Sequence, residues 1–337
     1  MLGRSILFVC CLLALGSAAV AAPYAAPRTP EGQPSLQGEW TNLTWTPLQR
    51  PREFAGPVAT KFEEIFWTAK IKAQIAGKPL AKPGAPPPEP NVGQSEWFDA
   101  DVGLMRIGGQ PRASIVTDPI NGRLPYNILG RHVVAAAIHR DEEVFDGPED
   151  RLSDERCLMG AGGPLAPPMM PPGYNAGYQI VQTPGFVVIE AEMIHDVRII
   201  RLGGVHDRAA PQWQGDSIGH WEGETLVVET VNQHPLSAER FLAGDAVMLI
   251  SPAARVVERF TRTAPGEIRY AFTVEDPAFY TRPWSGEEVF RTANQPLYEY
   301  ACHEGNYALA NILRGARHKE QEEAAAKAKQ KRLDGKP

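Results

Sequence analysis

Hydrophobic and polar residues alternate along much of the chain from Gln179 onward. The clearest case is the run EIRYAFTVED, where every second position is apolar, namely Ile268, Tyr270, Phe272 and Val274. A period of two is typical of a strand with one buried face. Similar runs, separated by Gly, Pro, Asn or Asp, are QIVQ, FVVIEAEMIHDVRIIRL, WEGETLVVET, ARVVERFTRT and LYEYAC. We therefore predict a mainly β fold, an antiparallel meander closed or nearly closed into a lipocalin-like barrel.

Two segments before these strands follow a helical period instead. Residues 60–76 place an apolar face at helical spacing, formed by Phe62, Ile65, Phe66, Ala69, Ala73 and Ala76, while Ile71 and Ile75 fall outside it. Residues 130–144, GRHVVAAAIHRDEEV, predict a second helix. Long loops rich in proline connect the elements, at residues 78–91 and 146–178.

The two ends of the chain predict export and a polar tail. Residues 1–22 combine Arg4, an apolar run and a small-residue end, which is typical of a signal peptide; a membrane anchor is the alternative. No other segment is apolar for long enough to span a bilayer, so we expect a periplasmic or secreted protein. Residues 23–34 predict a mobile lead-in, 35–315 a single β-rich domain, and 316–337 a charged tail that is helical or disordered.

The net charge and the distribution of Lys and Arg indicate which kind of binding partner to expect. The formal net charge is −6, and the positions of Lys and Arg form no basic stripe, which argues against a nucleic-acid ligand. The expected partner is a small-molecule ligand or substrate.

Two cysteines, Cys157 and Cys302, remain once the predicted signal peptide with Cys10 and Cys11 is removed. In an oxidising compartment, two cysteines permit one pairing, so we predict a Cys157–Cys302 disulfide. Two inert buried thiols, or a catalytic or metal-bound cysteine, are the alternatives. Since no C-x-x-C spacing occurs, we predict no metal site, and no motif predicts an organic cofactor.

Eight motifs follow one another in a recognisable order. They are IVTDPINGR from Ile115, GPEDR from Gly147, YNAGYQIVQTPG from Tyr174, EMIHDVRII from Glu192, GDS from Gly215, WEGETLVVET from Trp221, FYTRPW from Phe279 and YEYACHEGNY from Tyr298. As a set, they resemble a large family of secreted bacterial proteins of unknown function, abundant in acidobacteria and sphingomonads. The resemblance covers nearly the whole mature chain and implies one shared architecture of β-barrel type. It implies no activity.

The first candidate for chemistry is the segment from Ile189 to Ile200. If this is one strand, Glu192, Asp196 and Arg198 share a face, and that face could line a polar barrel interior. Carboxylates beside an arginine can be held in different protonation states, which suits acid–base catalysis. The alternative is an outward ladder of salt bridges. His195 belongs to the opposite, apolar face, as a core residue or as a further catalytic group.

The second candidate is the motif YEYACHEGNY. Read as a strand, it places His303 and Glu304 at a strand end, where a histidine can act as acid or base and the glutamate can contact a ligand. Cys302 then points away from His303, which favours the disulfide over a Cys–His dyad. Further candidate ligand contacts, suited to an aromatic or sugar-like molecule with an acidic group, are Arg282, Trp284, Tyr174 and Tyr178.

These observations lead to three functional hypotheses. The first is an exported, cofactor-independent enzyme, a lyase, isomerase or hydrolase, that uses Glu192 or Asp196 with His303 on a small organic or glycosidic substrate, and Arg198 or Arg282 as the anion clamp. The second is a non-catalytic, lipocalin-like protein that binds a small ligand. The third is a structural protein of the cell envelope.

Overall fold

A computed structural model describes residues 24–76, 102–242 and 246–334. The predicted signal peptide and the proline-rich loop at 78–91 lie outside these ranges. The elements in chain order are β1 (Gly38–Thr41), α1 (Lys61–Ile75), β2 (Arg106–Ile107), β3 (Gln110–Pro111), β4 (Val116–Asp118), α2 (Ile128–Glu143), β5 (Gly177–Thr183), β6 (Phe186–Ala191), β7 (Val197–Leu202), β8 (Asp216–Glu222), β9 (Thr225–Val231), β10 (Glu239–Leu242), β11 (Ala246–Leu249), β12 (Arg255–Ala264), β13 (Glu267–Glu275), β14 (Trp284–Thr292) and α3 (Ala308–Asp334).

Nine strands close into a barrel, as the sequence predicts. Their order is β1-β5-β6-β7-β8-β9-β12-β13-β14, and β14 pairs again with β1. Trp40 of β1 lies at the closure, opposite Thr292 on one side and Tyr178 on the other. β4 adds a short pairing on β14, while β10 and β11 form a separate hairpin.

One strand pair departs from the predicted antiparallel meander. β7 and β8 run parallel, with Ile200 opposite Ser217, whereas the other neighbours around the barrel are antiparallel. An odd number of strands cannot alternate in direction all the way round a closed sheet. A parallel pair is therefore required, and residues 203–215 carry the chain back between the two strands.

The inward face of the barrel forms the main core. On β13, the alternation is confirmed, because Ile268, Tyr270, Phe272 and Val274 are each at most 2% exposed. The neighbouring strand β12 turns Glu258 inward between two apolar side chains. The core is therefore apolar with a few buried polar groups, and each of those groups needs a partner.

Part of the long loop at 146–178 packs into this core. Leu165, Met169 and Met170 are fully buried in the same cluster as the inward strand residues. The backbone N–H of Met169 donates to the Tyr270 hydroxyl at 2.8 Å, and the buried Arg240 donates to the carbonyls of Ala166 and Pro167. The described segment from Leu165 to Met170 therefore acts as a plug, which we call the barrel plug, and it occupies space that an open barrel would offer to a ligand.

Helix α1 forms where it is predicted but presents a different face to the protein. Thr60 and Glu63 form a capping box at its start. The predicted apolar face points to solvent, with Phe62 79%, Ile65 58% and Phe66 48% exposed, while Trp67 is buried. The apolar face of the predicted helix is therefore not its buried face, because apolar spacing alone does not determine which side of a helix contacts the rest of the chain.

The other predicted segments also find places in the structure. Helix α2 agrees with prediction to within two residues at its start and packs through Ala137 on the β10–β11 hairpin. Helix α3 begins eight residues before the predicted tail. The described part of the lead-in, expected to be mobile, contacts the barrel through the hydrogen bond from Gln182 to the carbonyl of Pro34, and its residues Ala26 and Thr29 are buried. Among the described helices, none has the length and apolarity to cross a bilayer.

Candidate functional site

The predicted strand from Ile189 to Ile200 is broken by a turn. β6 ends at Ala191 and β7 begins at Val197, and between them Ile194 and His195 have φ of 65° and 52°. The turn changes which alternate residues face the barrel interior. Odd-numbered residues such as Ile189 point inward before it, and even-numbered residues such as Arg198 point inward after it. Glu192, Asp196 and Arg198 therefore do not share one face, and that expectation was wrong.

Arg198 lies in the barrel core, paired with a carboxylate. Its guanidinium donates to both carboxylate oxygens of Glu258, with Nη1 to Oε1 at 2.9 Å, and also to the hydroxyls of Ser217 and Thr230. Tyr270 donates to the same carboxylate at 2.8 Å. The pair is 1% and 0% exposed, so it is a satisfied internal ion pair.

Three other predicted ligand contacts are also placed away from an open site. Trp284 and Tyr178 are fully buried in the same core as Arg198. Arg282 is on the surface and pairs with Asp118 at 3.1 Å. A substrate contact by Trp284 or Tyr178 would require the core to open, because close packing leaves no space beside them.

A second buried carboxyl, Glu288 on β14, is only partly satisfied. Asn42 donates to its Oε2 at 3.0 Å, and its Oε1 has no hydrogen-bond partner. Burial raises the pKa of Glu288 well above its ordinary value, so the neutral carboxyl is favoured.

This raised pKa predicts a pH-dependent loss of stability that E288Q removes. A group whose pKa is higher in the folded state contributes fully below its unfolded value of 4.5, and its contribution is lost as the pH rises through the folded pKa. The free energy of unfolding of the wild type should fall relative to E288Q by up to about 1.4 kcal/mol per pH unit in that window. Urea unfolding between pH 4.5 and pH 9 measures the difference, with the exposed Glu304 as control in E304Q. Parallel curves for wild type and E288Q would contradict the prediction.

The predicted disulfide is confirmed. Cys157 and Cys302 lie with their sulfur atoms 2.00 Å apart and their Cα atoms 5.8 Å apart. The segment from 293 to 307, however, forms no strand, so the strand predicted around YEYAC was wrong. Beyond the hydrogen bond from the N–H of Ala293 to the carbonyl of Glu39 on β1, it is held as an irregular stretch by the disulfide and by side-chain contacts.

Several of the sequence motifs meet around this bond, at a surface that we call the disulfide junction (residues 153–157, 174–177, 192–196 and 298–306). The backbone N–H of Tyr300 donates to Nε2 of His195 at 2.9 Å, and the amide of Asn175 donates to Oε1 of Glu192 at 2.5 Å. The predicted candidates Glu192, His195 and Tyr174 therefore come together here, beside Asp196. His303 and Glu304 lie on its exposed rim.

The backbone of the disulfide junction is unusual. Of the five non-glycine residues with positive φ in the described part of the chain, four lie here, namely Cys157, Asn175, Ile194 and His195. Such conformations cost free energy and persist where the surrounding structure enforces them, often near functional sites. The disulfide and the contacts of Asn175 and His195 supply that constraint.

Titration at the junction is perturbed at two groups. Burial raises the pKa of Asp196 to about 6, against a smaller opposing effect of the hydrogen bond from Gln214. Burial also raises the pKa of Tyr174, and the neighbouring Tyr300 adds to the rise. The side chains of Glu192 and His195 accept hydrogen bonds from the amide of Asn175 and the backbone N–H of Tyr300. Their catalytic roles, and that of His303, stay predictions.

A concave part of the described surface lies elsewhere, beside the end of the barrel plug at Met170. This mouth cleft has a volume of about 860 Å³. Its wall combines the N-terminal segment 44–51, one side of α1, residues 170–173 and the ends of β10 and β11. The apolar lining includes Trp45, Leu48, Trp67, Ile71, Ile75, Ile115, Met170 and Leu242.

Helix α1 supplies one whole side of the mouth cleft. The lining residues of α1 follow the i, i+3, i+4, i+7, i+8 spacing of a helix face; they are Trp67, Lys70, Ile71, Gln74 and Ile75. Trp67 is fixed by its indole N–H, which donates to the carbonyl of Trp45 at 2.9 Å. The prediction from sequence missed these residues although their helical spacing was present. It assigned the apolar face of α1 to the opposite side of the helix, because the residues there are more apolar.

Among the described residues that line the mouth cleft, the charged ones are cations. They are Lys70 and Arg123, and the polar lining residues otherwise are threonine and glutamine. Lys70 pairs with Glu53 at 2.9 Å and lies 4.8 Å from the centre of the Trp67 ring. The hydrogen bond from Lys70 lowers the pKa of Glu53, and the charge of Arg123 contributes a smaller effect in the same direction.

The described residues include no group of three or more His, Cys, Asp or Glu side chains that could hold a metal ion. A comparison of the chain with protein-family models and with curated proteins finds no match. The functional argument therefore depends on the geometry of the mouth cleft and of the disulfide junction.

Proposed function

We propose that this is an exported protein that binds a small, largely apolar molecule in the mouth cleft. The observation that carries the proposal is a cleft of about 860 Å³ whose wall has eight large apolar side chains together with six polar or charged ones. Small-molecule sites in proteins commonly have volumes of about 300–1,000 Å³ and this kind of lining. The Cys157–Cys302 disulfide supports export, because such bonds persist in oxidising compartments.

The lining of the cleft favours binding over catalysis. Among the described residues of its lining there is no Asp, Glu, His, Cys or Tyr side chain. The groups of this wall that could transfer a proton or attack a substrate are the hydroxyls of Thr44 and Thr46 and the amine of Lys70, which is paired with Glu53. Because the barrel plug fills the barrel interior, the proposed ligand position differs from that in a lipocalin-like binder, which holds its ligand inside the barrel. The ligand would lie at the mouth, between α1 and the plug, and not inside the barrel.

A substitution that fills the cleft should abolish this binding. In Q74W, an indole replaces the amide of a lining residue on α1, and in A69W the same side chain is placed on the solvent face of that helix. Titration with the neutral fluorophore N-phenyl-1-naphthylamine should show binding to the wild type and to A69W. Q74W should lose at least about tenfold in affinity, a change of about 1.4 kcal/mol.

Two results would contradict the proposal. One is the absence of saturable binding to the wild type, and the other is equal affinity of Q74W and A69W. Thermal unfolding of all three proteins controls for misfolding, because both variants carry the same new side chain on the same helix.

Acid–base catalysis at the disulfide junction is a second candidate, favoured by one observation. Asp196 has a pKa of about 6, which suits a group that exchanges protons near neutral pH, and it adjoins His195 in a strained turn. If this candidate is correct, a panel of p-nitrophenyl esters and glycosides should reveal turnover by the wild type. D196N should lose at least about a hundredfold in rate. Unchanged turnover in D196N would exclude Asp196 as the acid or base.

A further inference from the structure

The mouth cleft carries positive charge in a protein that is negative as a whole. The chain has a formal net charge of −6, yet the two charged residues in the described part of the cleft lining, Lys70 and Arg123, are both cations. A concave wall of one sign concentrates small ions of the opposite sign. The lining therefore favours a ligand with an acidic group over a neutral ligand of the same shape.

A carboxylate of the protein itself, that of Glu53, is already paired with one of these two cations. Oε1 of Glu53 lies 2.9 Å from the Lys70 ammonium, and the charge of Arg123 also acts on that carboxylate. Glu53 is not among the lining residues, and its side chain is 39% exposed, against 23% for Lys70. It is thus a partly exposed group that reaches the cation from outside the cleft.

The ammonium, in contrast, is held in place. Lys70 lies over the Trp67 ring, and Trp67 is fixed by its hydrogen bond to the carbonyl of Trp45. A cation over an aromatic face is stabilised by the ring, so Lys70 can keep this position when its carboxylate partner changes.

We propose that Glu53 stands in for the acidic group of the ligand, and that the mouth cleft takes a monocarboxylic acid with an apolar body. This inference rests on the proposed function. The carboxylate of the ligand replaces that of Glu53 on Lys70, and Glu53 turns to solvent. One charge-assisted hydrogen bond is exchanged for another, while the body of the ligand gains the apolar contacts with Ile71, Ile75 and Met170. One ammonium with one nearby guanidinium matches a single carboxylate.

The test compares an acid with its alcohol. Isothermal titration calorimetry with decanoate and with decanol is carried out on the wild type, K70M, E53Q and K61M. Lys61 lies on the same helix, is 80% exposed and does not line the cleft, so K61M controls for the loss of one positive charge. We expect the wild type and K61M to bind decanoate about tenfold more tightly than decanol.

The variants should separate the two roles. K70M should lose most of the preference for decanoate over decanol, because the cation that binds the carboxylate is gone and only the charge of Arg123 remains. E53Q should bind decanoate several-fold more tightly than the wild type, with decanol unchanged, because the competing carboxylate is removed. Weaker binding of decanoate by E53Q would overturn the stand-in role, since Glu53 would then be positioning Lys70.

The outcomes also distinguish this inference from the function on which it rests. Equal affinity of the wild type for decanoate and decanol would overturn the acid specificity and leave small-molecule binding intact. Binding of neither compound, together with no binding of N-phenyl-1-naphthylamine, would overturn the proposed function itself. An equal loss of acid preference in K61M and K70M would show a general effect of charge and would also overturn the inference.

Discussion

Replacing Glu258 by glutamine is expected to lower the free energy of unfolding by about 3–5 kcal/mol. The substitution preserves the shape of the side chain but leaves the Arg198 guanidinium without its counter-charge, where both side chains are at most 1% exposed. An arginine cannot lose its proton to escape this cost. The remaining hydrogen bonds from Arg198 to Ser217 and Thr230 do not supply negative charge. Urea unfolding at neutral pH measures the loss.

Three further variants define the cause of this effect. E222Q removes the carboxylate that pairs with Arg259, the residue after Glu258 on β12, and should leave stability nearly unchanged because that pair is exposed. R198M should also be strongly destabilising at neutral pH, but less so in acid, since an orphaned carboxyl can be neutralised by a proton. The double variant R198M/E258L should recover most of the loss. A loss in E258Q no larger than in E222Q would show that the buried pair is unimportant for stability.

Removal of the disulfide in C157S/C302S is expected to cost about 5 kcal/mol of unfolding free energy on the loop-entropy estimate. The two cysteines are 145 residues apart in sequence, so the bond closes a long loop in the unfolded chain. The same bond attaches the irregular segment 293–307 to the long loop that carries the barrel plug. We therefore expect the contact between Tyr300 and His195 to weaken as well.

The measurement is urea unfolding of the wild type and of C157S/C302S, each with and without reductant. Reductant should destabilise the wild type to the level of the variant and should have no effect on the variant. Thiol counting on the unfolded mature wild type should give no free thiol before reduction and two afterwards. Two free thiols without reductant would contradict the disulfide in the isolated protein.

Local sequence patterns predicted several elements because their physical causes are local. The alternation in β13 reflects a strand with one face in the core, and each of its four inward side chains is buried. The limits of α1 follow from its capping box. The disulfide followed from a count, since only Cys157 and Cys302 remain after the predicted signal peptide.

Two of the failed strand predictions, for β14 and for the segment around Tyr300, have causes that lie in the packing of the barrel. β14 was missed because its inward positions include Gly286 and the charged-type residue Glu288 rather than an unbroken apolar series. A side chain at Gly286 would come within 2.3 Å of the Phe272 ring on the next strand, so glycine is required there. The segment around Tyr300 alternates like a strand, but no neighbouring strand pairs with it.

The sequence by itself determined the class of the fold, the positions of α1 and α2, and the cysteine pair, because these depend on local periodicity, capping and composition. Only the tertiary structure decided which side of α1 faces the protein, that the barrel plug fills the core, and that Lys70 and Arg123 meet at one cleft. The wall of that cleft comes from segments between residues 44 and 246, and no local pattern encodes their meeting. Long-range packing brings these segments together, as where the indole N–H of Trp67 on α1 donates to the carbonyl of Trp45.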